Sequence, residues 1–148
     1  MNPSSVSDTI VEEISIQAPA ERIFEALTDP VQRIEWWGRQ GRFQVARMES
    51  DLRPGGRWMM SGMGMGKPFQ VSGEYRQIQR PRLLVFTWLP DWQGDATESV
   101  VRFDPEESGG ITRVRLTHSG LATGASQTSH RGWPQILAAL QAYSEQRA

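Results

Sequence analysis

Two histidines, His118 and His130, are the first residues to weigh for acid–base or ligand chemistry. His118 lies in the stretch 111–119, where Val114, Leu116 and His118 share one side of an alternating strand and Arg113, Arg115 and Thr117 take the other. Held inside on that face, an imidazole loses solvation, its pKa falls, and the neutral ring both donates and accepts a hydrogen bond. Two roles are open to it: orienting the polar group of a ligand, or bonding a backbone or helix group of the core. His130 precedes an apolar helix face and is expected at a solvated end. With two histidines, no cysteine and no carboxylates that the pattern places beside them, no metal site or cofactor is expected. Nucleophilic catalysis has no support, because no Gly-x-Ser-x-Gly elbow is present and Ser61-Gly62 and Ser72-Gly73 read as strand and loop pairs. The run Gly62-Met63-Gly64-Met65-Gly66-Lys67 lacks phosphate-loop spacing and meets Pro68 and a strand, not a helix.

The aromatic and methionine residues say more. Trp58, Met60, Tyr75, Phe86, Trp88, Phe103 and Trp133 fall on strand or helix faces that can line one space, and Met59, Met60, Met63 and Met65 add adaptable apolar surface. A plain hydrophobic core uses the same residues. Trp36-Trp37 ends a helix and Trp92 sits in a polar loop, where a tryptophan can cover a cavity mouth or cap the edge of the core. Glu98 and Arg102 fall opposite Val101 and Phe103 and should face solvent.

Bulk properties exclude several classes. The chain has 148 residues, one domain by the usual prior. Sixteen basic and seventeen acidic residues are interspersed, with a net charge of −1, so there is no electrostatic case for nucleic acid. The absence of cysteine excludes disulfides and thiol catalysis. No segment approaches the roughly 18 apolar residues of a membrane span, and the first thirteen residues have no signal-peptide core. A cytoplasmic location is the expectation.

The elements that must position these residues begin with a half-buried strand over 9–17, with Ile10, Ile14 and Ile16 on one side. Pro19 fits the first position of a short helix carrying Ile23, Phe24 and Leu27. Asp29 as N-cap and Pro30 as N1 start a second helix, with Val31 and Ile34 as its apolar residues and Gly38 as a left-handed cap. About six strands follow by their alternation. In the first of them Phe43, Val45 and Arg47 alternate with Gln44, Ala46 and Met48. Residues 63–68 read as a hairpin loop, 80–81 as a turn, and 104–110 as the turn before the last strand. In the final helix Trp133, Ile136, Leu137, Leu140 and Tyr143 recur at helical spacing, with Pro134 as its N1 residue or as a kink after a frayed first turn. The order predicts an α+β fold: an antiparallel sheet of about seven strands, two short helices between strands one and two, and a long helix across one sheet face.

Four stretches carry a family likeness. They are Ala18-Pro19 through Phe24-Glu25-Ala26 to Asp29-Pro30 and Trp36-Trp37-Gly38; Asp51 to Trp58; Gly73-Glu74-Tyr75 through Pro81 to Leu83-Leu84-Val85-Phe86-Thr87-Trp88; and Leu116 to Leu121 followed by Gly132-Trp133. In these the chain resembles the START-like (SRPBCC) superfamily, in the AHSA-like branch related to the activator of the ninety-kilodalton heat-shock chaperone's ATPase. The resemblance implies a helix-grip fold, a curved sheet wrapped on the C-terminal helix that often encloses a cavity for a small hydrophobic molecule. Its members include carriers, aromatic cyclases, resistance proteins and chaperone activators, so it leaves function open. The characterised chaperone-activating members carry a further N-terminal domain, for which 148 residues leave no room, and this weighs against co-chaperone activity.

The expectation is a non-enzymatic module that binds a small, mostly apolar molecule between the sheet and the last helix. Trp58, Met60, Tyr75, Phe86, Trp88, Trp133, Ile136 and Leu137 would form the walls and His118 the polar anchor. An aromatase- or cyclase-like enzyme would use the same pocket with His118 as acid or base. A protein-interaction module, chaperone-related or a homodimer, would expose an apolar patch around Trp36, Trp37 and Trp92.

Overall fold

Alternating apolar residues need a single partner face, and the chain provides one by laying three helices on one antiparallel sheet. The computed structural model describes residues 9–37, 43–64, 66–91, 98–120 and 123–146. β1 (Ile10–Ile16) leads into α1 (Ala20–Thr28) and α2 (Pro30–Trp36). β2 (Phe43–Ser50), β3 (Arg57–Gly64), β4 (Lys67–Gln79), β5 (Leu83–Pro90), β6 (Ser99–Ser108) and β7 (Ile111–Ser119) follow, and then α3 (Thr123–Gln146). The seven strands lie in the order β1-β7-β6-β5-β4-β3-β2, every pair antiparallel. β1 and β2 are therefore the two edges, and α1 and α2 carry the chain from one edge to the other. The α+β architecture expected from the sequence is the one observed.

Local chemistry explains most boundaries. Asp29 caps α2, its side chain accepting from Val31 N at 3.2 Å with Pro30 behind it. Pro19 is the N-cap of α1, one position before the expected N1, and has no capping side chain of its own. The Ala20 N–H is instead met by Glu107 Oε1, reaching from the end of β6 at 2.8 Å. β6 runs on to Ser108, through residues whose polarity suggested a turn. Only Gly109 and Gly110 turn, with φ of 61° and 82°, the positive angles that a two-residue hairpin requires. β3 and β4 likewise extend to Gly64 and from Lys67, leaving residues 65 and 66 between them.

Three sequence expectations are corrected. In β2 a register shift between Val45 and Arg47 breaks the alternation, so Val45 and Met48 both point inward and Arg47 outward. Such a bulge bends its strand. In α2 the buried residues are Gln32, Arg33 and Trp36, Ile34 packs half-buried against the core as expected, and Val31 is 68% exposed. In α3 the helix passes through Pro134, which lies inside it and not at N1. Gly38, expected as a cap, and Trp92 lie outside the described residues; α2 ends on Trp37 in extended backbone, whose N–H bonds Arg33 O at 2.9 Å. Among the described residues no helix is long and apolar enough to cross a membrane.

Because a β-strand carboxylate closes the start of α1, Glu107→Ala should lower stability by ~1 kcal/mol, the usual worth of an N-terminal cap. Urea unfolding followed by circular dichroism would register it; an unchanged midpoint would mean that water replaces the carboxylate without loss.

Candidate functional site

The inward residues of the central strands are mostly aromatic. β3 contributes Trp58 and Met60, β4 Tyr75, β5 Phe86 and Trp88, and β6 Phe103, all buried. α3 sets Trp133 and Leu137 against them, with Ile136 half-buried beside the cluster. The end of α2 adds Trp37. Its ring centre is 6.0 Å from Trp88 and 5.9 Å from Trp133. Trp58 lies 5.3 Å from Phe86 and 5.8 Å from Trp88, and Trp133 lies 5.7 Å from Trp88 and 6.3 Å from Phe103. Tilted and edge-to-face pairs at these separations suit the ring quadrupoles. The nine residues expected at a site from sequence are thus brought to one layer between sheet and helix. Trp36 and Trp37 are buried in it and form no exposed patch.

His118 is wholly buried and holds the helix to the sheet. Trp133 Nε1–H donates to His118 Nδ1 at 3.0 Å, which assigns the imidazole proton to Nε2. Nε2–H then donates to Ser99 Oγ at 2.8 Å, and Ser99 Oγ–H donates to the Trp88 carbonyl at 3.3 Å. Both ring nitrogens are spent inside the protein, which leaves neither for proton transfer to a bound molecule. Burial pushes the imidazole pKa down to about 4. Among the described residues no charged side chain bonds to it. His130 lies outside the described side chains.

The residue that sequence reasoning passed over is Arg33. It is 1% exposed, and its guanidinium carbon stands 4.3 Å from the Trp37 ring centre, 5.3 Å from Trp58 and 5.5 Å from Phe86. Nη1 donates to the Leu27 carbonyl at 3.1 Å. Among the described residues Nε and Nη2 have no acceptor, and neither does the buried indole Nε1 of Trp58. Burial lowers the arginine pKa to about 10, with nearby Tyr75 acting the other way, so the group is still a cation at neutral pH. The faces of three rings offset part of its burial. Its neighbours on α2 tie that helix to the other two: Tyr143 of α3 donates to Glu35 Oε1 at 2.8 Å, and Gln32 Nε2 donates to Glu25 Oε1 of α1 at 2.6 Å. The signal was in the spacing, because Arg33, Trp36 and Trp37 stand at i, i+3 and i+4.

The opposite face of the sheet differs in kind. A depression of about 400 Å³ there is lined by Glu13, Arg102, Asp104, Glu106, Arg113, Arg115 and Thr117. Arg102 pairs with Asp104, Arg113 with Glu106 and Arg115 with Glu13. Its arginines are each paired with a carboxylate, and its lining is mostly polar. Glu98 is also on the solvent side, bonded to Arg76. Among the described residues no three His, Asp or Glu side chains are grouped to hold a metal ion.

A helix closed over an aromatic-lined antiparallel sheet defines the START-like class. Residues 17–145 match the family described as Activator of Hsp90 ATPase homolog 1-like protein, and the chain belongs to that family. Among solved structures it is similar to the protein CV1439 of Chromobacterium violaceum, with 20% identity over 93% of this chain and 97% of that one and a TM-score of 0.81. Protein Ms6760 of Mycobacterium smegmatis matches with 21% identity, 95% and 90% coverage and a TM-score of 0.80. An HSP90 activator from Plasmodium falciparum matches with 21% identity, 90% and 94% coverage and a TM-score of 0.73. Likenesses at these identities establish the fold. No curated protein matches.

Two expectations follow. Folded His118 stays neutral down to about pH 4, whereas unfolded His118 takes up its proton near 6.5. The unfolded state therefore binds more protons across that window, and stability is lost as pH falls through it, by ~3 kcal/mol in full. His118→Gln preserves an acceptor and a donor but does not titrate. Urea midpoints measured between about pH 7 and pH 4.5 should fall less steeply in the variant; parallel slopes would dismiss the account. At Gly73 a Cβ would meet the Thr87 carbonyl oxygen at 1.9 Å and Trp58 Nε1 at 2.6 Å. Gly73→Ala should cost at least the ~1–3 kcal/mol of an overpacked core and shift tryptophan emission as Trp58 moves.

Proposed function

We propose that the protein binds a small, mostly apolar molecule in the layer between the sheet and α3. Trp58, Met60, Tyr75, Phe86, Trp88, Trp133, Ile136 and Leu137 form the wall. His118 supports it by fixing Trp133, since both its nitrogens are engaged. The observation that carries this reading is the indole N–H of Trp58, which lies buried without an acceptor among the described residues. A buried tryptophan N–H ordinarily finds a partner, and a bound molecule with an acceptor atom at its polar end would supply one. The family adds support, because its sheet and helix are arranged to enclose such a space.

A second reading is favoured by a separate observation, the family description together with the Plasmodium HSP90 activator, 94% of whose chain is covered by this one. On that reading the domain acts by contact with a chaperone. The burial of Trp36 and Trp37 removes the exposed aromatic patch that would have spoken for it.

Native mass spectrometry of gently purified protein separates the two. Extra mass that leaves on denaturation supports the binding module. An unliganded mass that persists after exposure to apolar metabolites, with stimulation of Hsp90 ATP hydrolysis by the same preparation, would replace it with the second reading.

A further inference from the structure

The edge of Arg33 that lacks an acceptor has a definite geometry. Nε–H and the neighbouring Nη2–H point the same way and form the side-on fork of a guanidinium, matched to the two oxygens of a carboxylate. The protein itself displays that match at Arg102, whose Nε donates to Asp104 Oδ2 at 2.8 Å and whose Nη2 donates to Oδ1 at 3.0 Å. In Arg33 the same two atoms are the ones without a partner, while Nη1 alone bonds the Leu27 carbonyl. Arg102 is on the exposed outer face and Arg33 is 1% exposed. A fork on the surface is met by bulk water; that of Arg33 belongs to a buried guanidinium beside the rings of Trp37, Trp58 and Phe86, where an unmatched donor is costly.

We infer that the ligand is an aromatic carboxylate, its carboxylate held side-on by Arg33 Nε and Nη2 and its ring among the indoles of the wall. This rests on the binding function proposed above and adds the chemical class. A phosphate fits less well, since it brings more charge and more acceptor oxygens than one guanidinium edge and one indole N–H can meet. A neutral aliphatic ligand would leave the cation as it is. An aryl acid satisfies both parts of the site: its oxygens match the fork, and its flat ring packs against tryptophan faces.

Isothermal titration of the full chain with matched pairs, benzoate against benzyl alcohol and naphthoate against naphthalenemethanol, tests this. For at least one pair the wild type should bind the acid about tenfold or more tightly than the alcohol. Arg33→Met, which keeps an apolar stem, should lose that preference while still binding the alcohol. Arg33→Lys, which keeps the charge without the fork, should retain only part of it. Equal affinity for acid and alcohol in the wild type overturns the inference and leaves the binding function standing. So does a preference that survives in Arg33→Met. Binding of neither member of either pair overturns the inference, and the native mass spectrum described above then decides the binding function separately. Should Arg33→Met fail to fold, the wild-type preference and the Arg33→Lys result decide.

Discussion

The indole N–H of Trp133 must meet an acceptor inside the protein, and much of the structure follows from where it does. An unpaired donor at that depth costs more than a hydrogen bond usually returns. The acceptor is His118 Nδ1, which in turn requires Ser99 on β6 and the carbonyl of Trp88 on β5. One chain of three contacts thus ties α3 to β7, β6 and β5. Hydrophobic burial alone would hold the helix against the sheet but would permit it to slide or rotate. The directional contacts set its rotation, and with it which of Trp133, Ile136 and Leu137 faces the aromatic layer. They also settle the tautomer of His118 and remove it from chemistry, because a ring with both nitrogens bonded has no free site for a substrate proton.

The same requirement is met differently at Trp58 and Arg33. These donors lie in the same layer, within one aromatic cluster, and lack protein acceptors among the described residues. The contrast lies within a single wall. At one end the polar atoms are closed into a chain; at the other, three are not. Folding alone would favour an apolar residue at position 33, since a buried cation without a counter-ion is a net cost that ring faces only partly offset. A side chain that burdens the fold, tied to the protein by one hydrogen bond to the Leu27 carbonyl and by the ring faces around it, is better explained by what it meets than by what it stabilises.

Period-two alternation is a strong signal where one sheet face is buried, and it placed Trp58, Met60, Tyr75, Phe86, Trp88 and His118 on the inward side. Helical spacing did the same for Trp133 and Leu137. The signal failed where a neighbour overrode the local pattern. In β2 the bulge before Arg47 swaps sides, and no residue type in that stretch announces it. In β6 the stretch 104–108 reads as a turn by its polarity, yet cross-strand pairs with β7, Asp104 with Arg115 and Glu106 with Arg113, extend the ladder to Ser108. Pro134 suggests either N1 or a kink because it removes a helix hydrogen bond, and the helix runs through it. The remaining turns hold the helix together around it, with the ring on the exposed side.

Arg33 is the most instructive case, because the hydrophobic pattern holds for Ile34, half-buried against the core, and fails for Val31. Val31 and Ile34 are the apolar residues of α2, and an amphipathic reading turns them inward. Seven residues are too few for a moment to decide a helix's rotation. What decides it is Trp36, whose indole donates to the Ala26 carbonyl at 2.8 Å, and Asp29, whose cap fixes the first turn. With both ends fixed, the residue three positions before Trp36 goes in, whatever its charge. A leucine there would have made an ordinary core and left no trace of a ligand. An arginine makes the same geometry into a demand for an acceptor, and that demand locates the candidate site more narrowly than the aromatic residues around it, which serve a core and a pocket equally well.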